Sequence, residues 1–301
     1  VRALGDSRTP LYFLILSCVL NIGLVYLFIG VLGTGVGGAA LATVISQLTA
    51  VLACLVLIAR RMPQLRLRRQ DWNLQPGELA ESARTGLTMG FQMSVIAIGA
   101  VVLQSAINRL GSDAVAAATA AMRVDQLAVA PLASVGAAIS TFVAQNRGAA
   151  QWWRIRVGVF RTLLASWLFA LVLGGVIVAL GTPVVQLFVG EGEPAVVALA
   201  HQYLVINAAL YPILASLLVL RNAIQGLGAT GVPTIAGFME LVFRAAAGLF
   251  LVAPLGFAGV ALAAPLAWIG GLLPVLVSWF AYWWRLKGRE RRLLVRELVS
   301  R

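Results

Sequence analysis

The sequence predicts an all-α membrane protein: eight transmembrane helices that form part of a twelve-helix, two-lobe repeat architecture of six plus six. Three observations predict it. The 301 residues are 60% hydrophobic and only 11% charged, with a mean hydropathy of +0.92, which is more apolar surface than a soluble core can use. The apolar residues fall in runs of about twenty or more, long enough to cross a bilayer as helices. The chain also repeats itself: Gly5 and Pro10 recur as Gly228 and Pro233 at an offset of 223, and Gly35, Gly38, Ala40, Leu41 and Ala42 recur as Gly256, Gly259, Ala261, Leu262 and Ala263 at 221. Self-similarity at such a period marks a duplicated architecture. In membrane proteins, same-direction repeats build two halves around a central site.

Charge placement orients the chain. The net charge is +12, but 20 of the 23 basic residues lie in five places: Arg2 and Arg8, 60–84, 147–161, Arg221, and 285–301. Nearly cation-free connections alternate with them, a positive-inside pattern that puts all five, and the C-terminus, on the cytoplasmic side of the membrane. No basic stripe with stacking aromatics stands clear of the apolar spans, so nucleic-acid binding is a poor second reading. Cys18 and Cys54 fall inside apolar runs and read as small buried hydrophobes. His201 is the only histidine, too few for a histidine metal cluster, and no metal site is expected.

Taken in order, residues 9–59 carry no charge and break at Gly33-Thr34-Gly35, giving helices at about 10–31 and 36–59 that close the first lobe. Residues 60–83 form an arginine-rich inter-lobe linker punctuated by Pro63 and Pro76-Gly77. The second lobe, 84–284, contains spans at about 85–108, 114–142, 161–182, 194–220, 233–253 and 257–284. Trp152, Trp153, Trp283 and Trp284 mark its inner boundary, where amphipathic rings are favoured. The basic tail 285–301 reads as a short surface helix. Pro233 follows Arg84 by 149 residues; if the first lobe is built alike, its opening four helices precede Val1.

Four ionisable residues lie inside predicted spans, where each costs at least ~2.5 kcal/mol at the centre, so they are functional candidates. Arg123 and Asp125 sit roughly 15–18 Å in from the outer end of their helix. They are about 200° apart around the helix and do not automatically neutralise one another. Glu240 and Arg244 are four apart and share a face. For Glu240 a structural ion pair with Arg244 weighs evenly against a coupling role. Asp125 has no cation on its own face, which suits a group that loads and releases a proton; a pair with an arginine of another helix, such as Arg244, is the alternative. Pro131 can bend the same helix. Asn21, Gln92, Gln104, Asn207 and Tyr211 are weaker candidates for a substrate cavity, because polar groups at lipid depth more often knit helices together; Asn108 is another amide of this kind.

The one lysine, Lys287, precedes a glycine outside any Walker A pattern, and neither a Gly-x-Ser-x-Gly elbow nor a zinc-protease helix occurs in the sequence, so no enzymatic activity is expected. The remaining energy source is an ion gradient.

Several stretches resemble the multidrug and toxic compound extrusion (MATE) antiporters, in particular the DinF-like bacterial branch. Arg2-Ala-Leu-Gly5-Asp-Ser-Arg-Thr-Pro10, Asn21 and Gly35-Val-Gly-Gly-Ala-Ala-Leu-Ala-Thr43 look like the family's fifth and sixth helices. Ala116 to Asp125 with Gln145-Asn146-Arg147-Gly148-Ala149 is similar to the eighth helix and its following loop. Gln202-Tyr-Leu, Tyr211-Pro212, Arg221-Asn222, Gln225-Gly226, Glu240, Arg244 and Trp268 continue the likeness through helices ten to twelve. The resemblance implies two six-helix lobes in a V, an ion-driven efflux cycle and amphipathic, often cationic substrates. Residues 85–108 and 194–220 hold no Asp or Glu, a departure from members that bind sodium there, and Val25 stands where some relatives carry an acid.

The expected function is therefore a secondary-active multidrug antiporter, with Asp125 and Glu240 as ion-coupling residues and Arg123 and Arg244 as their charge partners in the membrane. The coupling ion would be H+, with Na+ second, and no other cofactor is expected. The expected partners are a drug-like small molecule and the bilayer, with no nucleic acid and a monomeric assembly. Two alternatives stand: a flippase of the same superfamily for lipid-linked saccharides, and a non-transporting membrane scaffold whose buried charges fix helix register.

Overall fold

A computed structural model describes residue 6 and residues 8–61, 76–189 and 193–299. These are almost wholly helical, with no strand among the described residues. Among the described residues, seven helices are long and apolar enough to cross a membrane, and a bent pair makes up to eight. The chain divides into two compact units, Val1–Ala80 and Glu81–Arg301.

In the first unit, α1 (Arg8–Val25) begins under the carboxylate of Asp6, which accepts the Arg8 and Thr9 amides at 3.0 and 3.1 Å and the Thr9 hydroxyl at 2.6 Å. These bonds, the Thr9 hydroxyl foremost, hold the Asp6 carboxyl below the usual carboxylate range. The helix ends in a widened π-turn, Tyr26–Val31, after which Gly33 and Gly35 (φ 63° and 61°) reverse the chain into α2 (Gly35–Arg61). Only glycine takes such positive φ freely.

The second unit contains α3 (Pro76–Asn108) from Glu81 onward, α4 (Ser112–Gly148), α5 (Trp152–Val189), α6 (Pro194–Ala209), α7 (Tyr211–Gly226), α8 (Gly231–Ala246), α9 (Val252–Leu255) and α10 (Phe257–Val299). Its core is α4 and α7. Ala114, Ala117, Ala121, Val124, Ala128 and Leu132 give α4 a buried stripe at helical spacing, and small residues let neighbouring backbones come close. α5, α6 and α7 pack around it. α7 buries nearly its whole circumference, Tyr211 through Ile224, as an all-round apolar helix must.

The repeat is visible in the backbone. α1 and α8 start at Arg8 and Gly231, 223 apart; their π-turns start at Tyr26 and Ala247, 221 apart; and Gly35 and Gly256, again 221 apart, both take positive φ. The two-residue difference is therefore absorbed in the regular helix, which is 18 residues in α1 and 16 in α8.

Several expected boundaries differ. Residues 62–75 of the expected linker lie outside the described residues, but 76–83 are already helix, because a proline at a first helical position initiates rather than breaks. α5 starts at Trp152 instead of 161, since Ala149, Ala150 and Gln151 suffice for the turn. The 194–220 span is two helices bent by 52° at Leu210. The basic tail is no separate helix; α10 runs unbroken to Val299. Pro131 lies within α4 without ending it.

Candidate functional site

The break between α6 and α7 positions the site. Pro212, at the start of α7, has no N–H to give to the preceding turn, so the helix cannot run on from α6. Asn207, fully buried, braces the break by donating from Nδ2 to the carbonyls of Tyr203 (2.9 Å) and of Ala261 in α10 (3.2 Å). Nδ2 thus serves the backbone, contrary to the expected cavity role, while Oδ1 is buried without a hydrogen-bond partner among the described residues.

The first residue after the break is Tyr211. Its side chain is buried, with its ring 6.2 Å from that of Trp268 at 43°, and its hydroxyl donates to Asp125 Oδ1 on α4 at 2.7 Å. A cavity of ≈ 300 Å³ opens beside this bond, lined by Gln104 of α3, Asp125 and Gln126 of α4, Tyr203 of α6, Arg244 of α8 and Trp268 of α10 among others. Six elements thus converge on one pocket, α7 through Leu214, and it carries a carboxylate, a guanidinium, two amides and two aromatic rings. Gln104 also donates to Asn108 Oδ1 at 3.0 Å. Arg244 Nε is buried without a hydrogen-bond partner among the described residues. Such a pocket can bind an amphipathic cation against Asp125 and the rings.

Glu240 is engaged elsewhere. Its Oε1 lies 2.6 Å from Arg221 Nη1, the side chains being only 7% and 13% exposed. The pair with Arg244 weighed from the i,i+4 spacing is therefore replaced by a pair with Arg221 of α7. A second reason is steric: Gly271 of α10 leaves room for the Glu240 side chain, and a Cβ at 271 would lie 2.7 Å from Glu240 Cγ.

The other expected residues scatter. Arg123 is exposed on α4 and borders a separate groove with Gln126 and Phe188, so it does not partner Asp125. Gln92 is buried against Gly237 of α8, where it packs α3 to α8 and does not face the cavity. Asn21, in the first unit, donates to Thr43 Oγ1 at 3.3 Å and so ties α1 to α2. Sequence reasoning missed Gln126 as a lining residue, although it adjoins Asp125. It also missed Arg221 as a membrane charge partner, because its place at a span end read as a cytoplasmic cation. The Gln145-Asn146-Arg147-Gly148 stretch proves to be a clasp: Arg147 donates to the Leu227 carbonyl after α7.

Comparison with known proteins agrees with this architecture. The MatE family model matches residues 88–250. The chain is 31% identical to the probable multidrug resistance protein YpnP of Bacillus subtilis over 231 residues, covering 76% of this chain and 51% of that protein. It is 27% identical to the probable multidrug resistance protein NorM of Thermotoga maritima, covering 80% and 52%. The chain thus spans about half the length of these relatives. Among solved structures, a mutant Vibrio cholerae MATE transporter superposes with a TM-score of 0.83 at 20% identity, covering 95% of this chain and 64% of that one. A MOP superfamily transporter from Pyrococcus furiosus gives 0.82 at 21%, covering 93% and 62%. The helical architecture with its repeated hairpin and the family match over residues 88–250 place this multi-pass membrane protein in the MatE family.

Proposed function

We propose that this chain forms the second lobe and the last two helices of the first lobe of a secondary-active multidrug antiporter. It would export amphipathic or cationic compounds in exchange for protons as the two lobes rock about a midplane cavity. The observation that carries the reading is the division of labour between the two membrane acids. Glu240 is committed to Arg221, whereas Asp125 has, among the described residues, only a neutral hydroxyl partner and faces a cavity. A carboxylate held by Tyr211 can exchange that bond for a proton or for a bound cation without breaking an ion pair. Competition between proton and drug for one carboxylate is sufficient to couple their movements. Glu240 then braces α7 against α8 and is not the coupling acid.

Gradient-driven efflux tests this. The whole transporter, reconstituted in vesicles with an imposed pH gradient, should expel a fluorescent lipophilic cation, and Asp125→Asn should bind the dye more weakly, for want of the carboxylate, and fail to expel it even at saturating dye. Unchanged efflux in Asp125→Asn would remove Asp125 from coupling. The flippase reading has one observation in its favour, the spare Arg244 guanidinium in the cavity, which suits a pyrophosphate. Movement of a lipid-linked saccharide with no dye efflux, under proton and sodium gradients alike, would make that reading the correct one.

A further inference from the structure

A second groove, between α4 and α5, lies apart from the Asp125 cavity. It measures ≈ 510 Å³ and its two sides differ in chemistry. Val135, Ile139 and Phe142 of α4 form an apolar wall, and Trp153, Arg154 and Arg161 line the α5 side. Arg154, Gly158 and Arg161 follow at i, i+4 and i+7 and share one face of α5. The Phe142 ring occupies the space that a side chain at 158 would need.

The level of these residues is readable from α5 itself. Residues 162–189 carry no charge, so Arg161 marks where α5 enters the apolar layer, and Arg154 lies about 10 Å farther out. Trp153 belongs to the interfacial belt. Arg154 therefore sits at headgroup level and Arg161 at the edge of the apolar layer; Phe142 is level with Gly158 between them, and Ile139 and Val135 continue the apolar wall inward.

Neighbouring cations have partners within the chain. Arg156 pairs with Glu290 at 3.4 Å and lies over the Trp283 ring at 5.0 Å, Arg289 lies over Trp152 at 4.9 Å, and Arg147 binds the Leu227 carbonyl. Arg154 and Arg161 are exposed and in no ion pair among the described residues. A free anion would leave the apolar wall unused, and a zwitterionic lipid would bring its phosphate with an ammonium that the two guanidinium groups repel, whereas an anionic lipid matches both features. We propose that this groove binds one anionic phospholipid from the leaflet on the arginine-rich side, its phosphate held by Arg154 and Arg161 beside the Phe142 ring and an acyl chain running inward along Ile139 and Val135.

Photo-labelling tests the assignment. The whole transporter is placed in vesicles of equal phosphatidylglycerol and phosphatidylethanolamine, each in turn carrying a photoactivatable acyl chain, and labelled peptides are mapped by mass spectrometry. The phosphatidylglycerol analogue should label the peptides covering 135–142 and 153–162 on the order of tenfold more than the phosphatidylethanolamine analogue. The preference should vanish in Arg154→Ala/Arg161→Ala and persist in Arg154→Lys/Arg161→Lys, which keeps the charge and controls for folding. Equal labelling by both lipids, absence of label from these peptides (as when another polypeptide segment covers the groove), or a preference surviving the double alanine variant would each overturn it.

Discussion

At the scale of single residues, the two membrane acids differ in what holds them, and so in what their removal does. Glu240→Gln leaves Arg221 buried without a counter-charge, which should cost about 3–5 kcal/mol and lower the thermal midpoint of the purified protein. Replacing both partners, as in Arg221→Met/Glu240→Leu, should recover most of that loss, since a buried pair gives little net stability over apolar residues of like volume. A double variant no more stable than Glu240→Gln would show that Glu240 has other partners. Tyr211→Phe should cost about 1–3 kcal/mol, the consequence of leaving a buried acceptor unsatisfied, and should impair transport while dye binding persists. Of these residues, Asp125 was legible in the sequence because a lone acid in an apolar run is conspicuous. The partner of Glu240 was not. Local spacing offers Arg244, but the bend at Leu210 and the gap at Gly271 decide for Arg221, and neither is a property of the helix that carries the acid.

At the scale of elements, close approach of helices depends on glycines whose missing side chains are filled by neighbours. A Cβ at Gly271 would meet Glu240, whereas one at Gly175 in α5 meets nothing within 4 Å. Both glycines are inside helices, so alanine should gain about 1 kcal/mol of helix propensity at either. Overpacking costs about 1–3 kcal/mol and should reverse the sign only at 271. Thermal melts of Gly271→Ala and Gly175→Ala should therefore move in opposite directions; movement in the same direction would contradict the packing described for α8 and α10. Helix existence was legible from apolar run length, and the repeat was legible from its glycines and proline. The breaks were less so. In a bilayer both the lipid-facing and the buried sides of a helix are apolar, so periodicity cannot distinguish them or show where a helix bends. The α6–α7 break needed Pro212 to be weighed against the apparent continuity of 194–220, and α10 outran its apolar span because Leu286 packs inward, 3% exposed, and carries the basic tail on as helix.

At the scale of the whole molecule, the charge pattern makes an orientation claim. With Cys18 and Cys54 replaced, a cysteine at Ser112 should react with an impermeant reagent from outside the cell. One at Gly288 should react only after permeabilisation; both positions are exposed. The reverse pattern would invert the topology and the direction of transport with it. The repeated hairpin, which begins one copy at α1 and the other at α8, supports a protein of two like lobes. The cavity beside Asp125 is walled by residues of the second unit, and in the proposed cycle one carboxylate serves both proton and drug. The most direct test is proton release on binding: a lipophilic cation is added to the purified whole transporter in weakly buffered solution with a pH indicator. Wild type should release protons in proportion to the drug bound, and Asp125→Asn should bind without release. Equal release by both proteins would contradict the assignment of coupling to Asp125.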